Sequence, residues 1–194
     1  MPNSRSFRSL LLAVMLTWAA GSASATTLIP ADFAQMARES ELIVRGTVVN
    51  VQGQLAGPGR TIESLVTVFV AATLKGTTGT QTVFRVPGGR VGPYRRVMVG
   101  APEFSAGDEV IVFLKGRAPA IAMPYGLSQG VYRISRHTGS AVVTPAVTGN
   151  GRVVRGDPSR RPLDPEAFAR HVQQALTATA TAPTDVRRAI PRVR

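Results

Sequence analysis

The sequence predicts a mainly β fold: a small antiparallel barrel or sandwich, with a short helix before it and another after it. Three observations carry this. Ile62, Val66, Val68, Val70, Ala72 and Leu74 fall on alternate positions of Thr61–Leu74, short β-branched runs elsewhere are separated by Gly- and Pro-containing turns, and helical spacing occurs near the two ends of the domain.

In chain order, Asp32–Ser40 places Phe33, Met36 and Ala37 at i, i+3 and i+4. That is one apolar stripe on a short helix, with the acidic Asp32 at its start, where it is favoured. Leu42–Val51 is a strand, with Val44, Gly46 and Val48 on one face and Arg45, Thr47 and Val49 on the other. Gln52–Arg60 connects it, hairpin fashion, to Thr61–Leu74. There Ile62, Val66, Val68, Val70, Ala72 and Leu74 share a face, and Glu63, Thr67 and Thr73 take the other.

Lys75–Gly79 turns the chain, Gln81–Val86 returns as a strand, and Pro87-Gly88-Gly89 stops it. Arg90–Gly100 reads as a basic loop with a short strand around Arg95–Val99. Glu103–Glu109 turns into the apolar strand Val110–Leu114, and Gly116–Pro124 is a further loop. Gly130–Ile134 and Ala141–Val147 are the last strands, the second weakened by Pro145. After a Pro-rich linker, Asp164 caps and Pro165 opens a helix reaching Leu176. Its face of Phe168, Val172 and Leu176 (or Ala175) must dock on the barrel, because so short a helix is marginal alone in water.

The ends carry different information. Arg5 and Arg8 precede the apolar run Leu10–Ala20, and Gly21–Ala25 closes it with small residues. This predicts a secretory signal peptide cleaved between Ala25 and Thr26. The run is about half the ~20 residues a bilayer span requires. Arg5 and Arg8 are not adjacent, so no twin-arginine route is implied. The expected division is therefore a signal at 1–25, a β domain at 26–156, a linker and helix at 157–176, and a disordered basic tail at 177–194. No transmembrane anchor is expected in the mature form, which is placed in the periplasm or outside the cell.

An exported domain usually relies on disulfides, yet this chain has no cysteine. Thiol chemistry, cysteine-bound zinc and iron–sulfur clusters are thereby excluded. His137 and His171, the only histidines, are far apart and lack acidic neighbours, so no metal or other cofactor is expected. The net charge is +12; removing Arg5 and Arg8 from the 23 basic residues leaves 21 against 11 acidic ones. Only Lys75 and Lys115 are lysines. The excess of arginine suits an acidic partner or reflects compositional bias, and nucleic acid is a poor match for an exported chain.

One segment stands out as a candidate surface. Pro87–Arg96 combines glycines, which leave backbone N–H groups open, with Arg90, Arg95, Arg96 and the ring of Tyr94. Such a loop can clamp an anionic or extended ligand, or simply be a solvated connection. The P-loop spacing is missing. A second candidate is Met123–Gly130 with Tyr132, where Tyr125 and Tyr132 serve either a barrel mouth or core packing. No catalytic residue is assigned. Glu63, Glu103, Asp108 and Glu109 read as solvated edge or turn positions, Ser105 and Ser128 have no evident partner base, and His137 lies in an ordinary turn.

The runs Ser40–Val48, Val66–Gly76, Pro87-Gly88-Gly89 and Phe104–Leu114 together resemble a pattern in uncharacterised exported bacterial proteins. The series is also similar to a cysteine-free version of netrin-like modules, the OB-type barrels of tissue inhibitors of metalloproteinases. The resemblance spans roughly Phe33 to Ile134 and implies an OB-like barrel. Those inhibitors chelate the protease zinc through an N-terminal cysteine; the expected mature terminus here is Thr26-Thr27, so that mechanism is lost. The expected function is a non-enzymatic exported module binding a protein or an acidic extracellular ligand. The alternatives are a modulator of an exported protease and, third, a cell-envelope enzyme.

Overall fold

The computed structural model describes residues 31–116, 118–137, 139–146 and 162–178. The expected signal and its cleavage point at Ala25–Thr26, Val147, most of the expected linker, residues 179–194 of the expected basic tail and the side chain of His137 lie outside the described residues. Thr177, expected to open that tail, instead ends the C-terminal helix. The first helix, α1 (Phe33–Glu39), starts where Asp32 Oδ1 accepts a hydrogen bond from the Gln35 N–H at 2.7 Å. Seven residues cannot hold a helix in water, so its stability comes from burying Phe33, Met36 and Ala37.

β1 (Leu42–Ala56) and β2 (Thr61–Lys75) form a long hairpin, both strands running further than the sequence pattern suggests. Its register slips at three places, one of them at Gly46. A Cβ there would lie 2.1 Å from the carbonyl oxygen of Phe69, so only glycine permits the backbones to approach this closely. β3 (Gln81–Pro87) pairs with β2, while β4 (Gly89–Val91) and β5 (Tyr94–Arg96) make a separate two-stranded ribbon. β6 (Glu109–Lys115) pairs with the other side of β1 and with β8 (Val131–His137). The short β7 (Met123–Pro124) also pairs with β6, and β9 (Ser140–Pro145) with β8. The main sheet is antiparallel, in the order β3-β2-β1-β6-β8-β9 with β7 beside β6.

The fold is thus mainly β with a helix at each end. Arg85 N–H donates to Ala122 O at 2.9 Å, which draws the β3 edge toward β7, but no ladder closes the sheet into a barrel. The curled face is filled by Val48, Val66, Val68, Phe84, Val86 and Val131. Helices cover the other face: α2 (Pro165–Thr177), capped by Asp164 through the Ala167 N–H, buries Phe168, Val172 and Ala175 beside α1. Phe168 is packed among the rings of Phe33, Phe113 and Tyr132, at centroid distances of 5.8, 6.3 and 4.6 Å. Leu163 exchanges two backbone hydrogen bonds with Val143 and so covers part of the β9 edge.

β6 joins the two layers. Val110, Ile111, Val112, Phe113 and Leu114 are each at most 1% exposed. Val110, Val112 and Leu114 enter the curled core, and Ile111 and Phe113 face the helices. An unbroken apolar run is what a strand covered on both faces requires.

The segment expected as a loop with a strand at Arg95–Val99 is instead the β4–β5 ribbon, with its second strand at Tyr94–Arg96. The missed signal is Val91-Gly92-Pro93-Tyr94, a two-residue hairpin turn between β-forming residues. The expected loop before Pro124 likewise contains β7.

Phe168→Ala should lower the unfolding free energy by about 3–5 kcal/mol, since it empties the ring cluster that holds α2 on the sheet. Urea denaturation of the two proteins checks this, with a lower midpoint expected for the variant.

Candidate functional site

The ribbon lies over the ends of β1, β2 and β3 that extend past β6, and a groove of about 500 Å³ opens beneath it. Its floor is apolar: Val51 of β1, Val66 of β2, Val86 of β3 and Phe104, whose ring meets Phe84 edge-on at 5.4 Å. Its other wall is the ribbon with the following segment, bringing Arg90, Arg95, Arg96, Val97, Met98 and Val99 to the opening. Gly53 makes this fit possible. A Cβ there would sit 1.8 Å from the Arg90 carbonyl oxygen, so any side chain would push the ribbon off the sheet. Ser64 Oγ fixes the ribbon's start by donating to Gly88 O at 2.9 Å.

Of the four ligand-binding residues expected from sequence, Arg90, Arg95 and Arg96 line the groove. Tyr94 does not; it stands 72% exposed at the ribbon tip. Arg95 is held by Glu103 at 2.9 Å, whereas no acidic group among the described residues pairs with Arg90 or Arg96.

The acidic residues expected to be simply solvated are engaged, each with a different arginine. Glu63 meets Arg85 at 3.6 Å and accepts from Gln54. Glu103 pairs with Arg95, and Asp108 with Arg133 at 2.7 Å. Glu109 takes both Arg136 Nε and Nη2, at 2.9 and 2.8 Å. That two-point contact holds the Glu109 carboxyl below its ordinary pKa. Asp108 also accepts from the Ser105 N–H, and Arg133 donates to Glu103 O and lies over the Phe104 ring, fixing the groove's floor. Each of these four carboxylates is thus paired with its own arginine.

The second sequence candidate divides. Tyr132 is core, 4% exposed. Tyr125 belongs to a polar cluster at the other end of the fold, donating its hydroxyl to Glu39 Oε2 at 3.1 Å. Lys115 Nζ reaches the same oxygen at 3.0 Å and lies over the Tyr125 ring, while Gln35 donates to Glu39 Oε1. Hydrogen bonds from Gln35, Lys115 and Tyr125 lower the Glu39 pKa to about 2. Burial, and then its bond to Glu39, raises the Tyr125 pKa.

Lys75 donates to Ala37 O and Arg38 O at 2.9 and 2.6 Å, satisfying the C-terminal carbonyls of α1; its burial lowers its pKa. The two lysines of the chain therefore both secure the end of α1. His171 stacks on Phe33 at 4.5 Å, and Ser128 is buried. Among the described residues no group of three or more His, Asp or Glu could hold a metal ion.

Comparison with protein-family models, curated proteins and solved structures yields no match.

Two outcomes follow from this geometry. Gly53→Ala should displace the ribbon and cost about 1–3 kcal/mol, an overpacking effect; amide shifts in NMR spectra should change over residues 88–98 while those of α2 stay fixed. The Glu39 carboxyl, lowered from 4.5 to about 2, contributes stability present above pH 4.5 and lost as the pH falls toward 2. Urea midpoints of wild type and Glu39→Gln should therefore differ most at neutral pH and converge near pH 2.

Proposed function

We propose that the protein is an exported binding module that receives an acidic partner in the groove under the β4–β5 ribbon. Export rests on the signal pattern of residues 1–25. The groove reading rests chiefly on one observation: among the described residues, Arg90 and Arg96 line an apolar-floored groove without an acidic partner, while the described acids nearby pair with other arginines.

A guanidinium left without a counter-charge at a concave site favours an anion, and it offers paired N–H donors to carboxylate or phosphate. The valines and Phe104 beneath suit an apolar portion of the same partner. Holding Arg95 on Glu103 stiffens the ribbon, which lowers the ordering cost of binding. The task assigned to these residues is recognition, with no covalent step.

A photo-crosslinking amino acid placed at Val99, at the groove opening, should capture a partner in cells expressing the protein. The same group at Thr77, beyond the opposite end of β2, should not. Arg90→Ala with Arg96→Ala should reduce capture at Val99 by at least tenfold, a loss of about 1.4 kcal/mol or more. Equal capture from both positions, or capture indifferent to the two arginines, would refute the groove as the contact surface.

A further inference from the structure

The most exposed large apolar residues among those described stand together. Val99 is 86% exposed, Tyr94 72% and Val97 68%, all within six positions of one another at the ribbon tip and groove opening. Other exposed apolar residues, such as Phe69 and Val83, lie on the main sheet among threonines and glutamines, without an unpaired cation. At the ribbon, exposed Val97 and Val99 line the same groove as Arg90 and Arg96, and Tyr94 stands two residues before Arg96.

Resting on the reading of the groove as an anion site, we propose that this rim docks the protein on an anionic lipid surface. Tyr94, Val97 and Val99 enter the headgroup layer, and Arg90 and Arg96 contact lipid phosphates. The apolar part of the exposed rim is small, three side chains. They are enough for interfacial binding when electrostatic attraction acts with them, and a tyrosine ring with its polar tip suits that layer. Charge complementarity points the same way. Without Arg5 and Arg8 the expected exported form has 21 basic residues against 11 acidic ones, and the one carboxylate among the described groove residues, Glu103, is already held by Arg95. The ribbon is also a stiff support, seated on Gly53 and bonded through Ser64, so insertion does not require ordering a loose loop.

The lack of cysteine makes the test direct, because Val99→Cys gives a single thiol for a polarity-sensitive dye. Mixed with phosphatidylcholine–phosphatidylglycerol vesicles, the labelled protein should shift its emission to the blue. Phosphatidylcholine alone should give little change, and high salt should reverse the shift. A dye on Thr77→Cys should not respond. Arg90→Gln with Arg96→Gln should weaken partitioning about thirtyfold, and Val97→Ser should weaken it while leaving the urea midpoint unchanged.

No shift with the mixed vesicles overturns the proposal, as does an equal shift with phosphatidylcholine alone or a double variant that binds like wild type. If crosslinking at Val99 still captures an arginine-dependent partner while vesicles are ignored, the lipid proposal falls and the groove reading stands. If both fail, neither survives.

Discussion

Burial of β6 on both faces holds the two layers of the molecule together. Each of its five central side chains contributes roughly 1.5–3 kcal/mol by leaving water. Their division is decisive: Val110, Val112 and Leu114 complete the curled core, while Ile111 and Phe113 give the helices a surface to cover. With β1 on one side and β8 on the other, β6 also supplies the pairing that positions the long β1–β2 hairpin. The free ends of that hairpin form the floor of the groove. A chain without disulfides thus gains its rigidity at the site from a strand that lines no part of the groove but packs in one core with its floor residues Val66 and Val86.

Charge is distributed with a similar economy. Acidic residues cap both helices, pair with arginines across strands and anchor the end of α1. Exposed pairs of this kind add little stability individually. Their collective effect is to occupy carboxylates near the groove with other arginines: Glu103, which lines the groove beside Arg90 and Arg96, is held by Arg95. The lysines work elsewhere: Lys75 and Lys115 leave neighbouring strands on either side of β1 and meet at the same helix end.

Much of the fold was legible because its signals are local. Alternation in Thr61–Leu74, the stripe of Phe33, Met36 and Ala37, and the Asp164-Pro165 start each specify an element without reference to the rest of the chain. The ribbon was harder to see, since three-residue strands carry too few alternations and the Gly92-Pro93 turn was read inside a basic loop. At the site, Arg90, Arg95 and Arg96 were visible as a cluster of donors, but their differing status was not. Which arginine meets Glu103 depends on a contact between the ribbon and the segment that follows it. Glu103 is exposed as its turn position implies, whereas the partners of Asp108 and Glu109 are not legible, because these acids meet Arg133 and Arg136 only once β8 lies beside β6.

The sequence by itself determined the β class, the two helices and the excess of arginine, all of which follow from periodicity and composition. It did not show that Leu74, expected on the face of Val66 and Val68, packs on the helix side after the hairpin register slips. The tertiary structure alone decided that, among the described residues, the sheet curls without closing, that Gly53 lets the ribbon settle on it, and that Arg95 rather than Arg90 or Arg96 takes Glu103. Each of these depends on which distant residues are brought within a few ångströms, and no local pattern encodes such proximity.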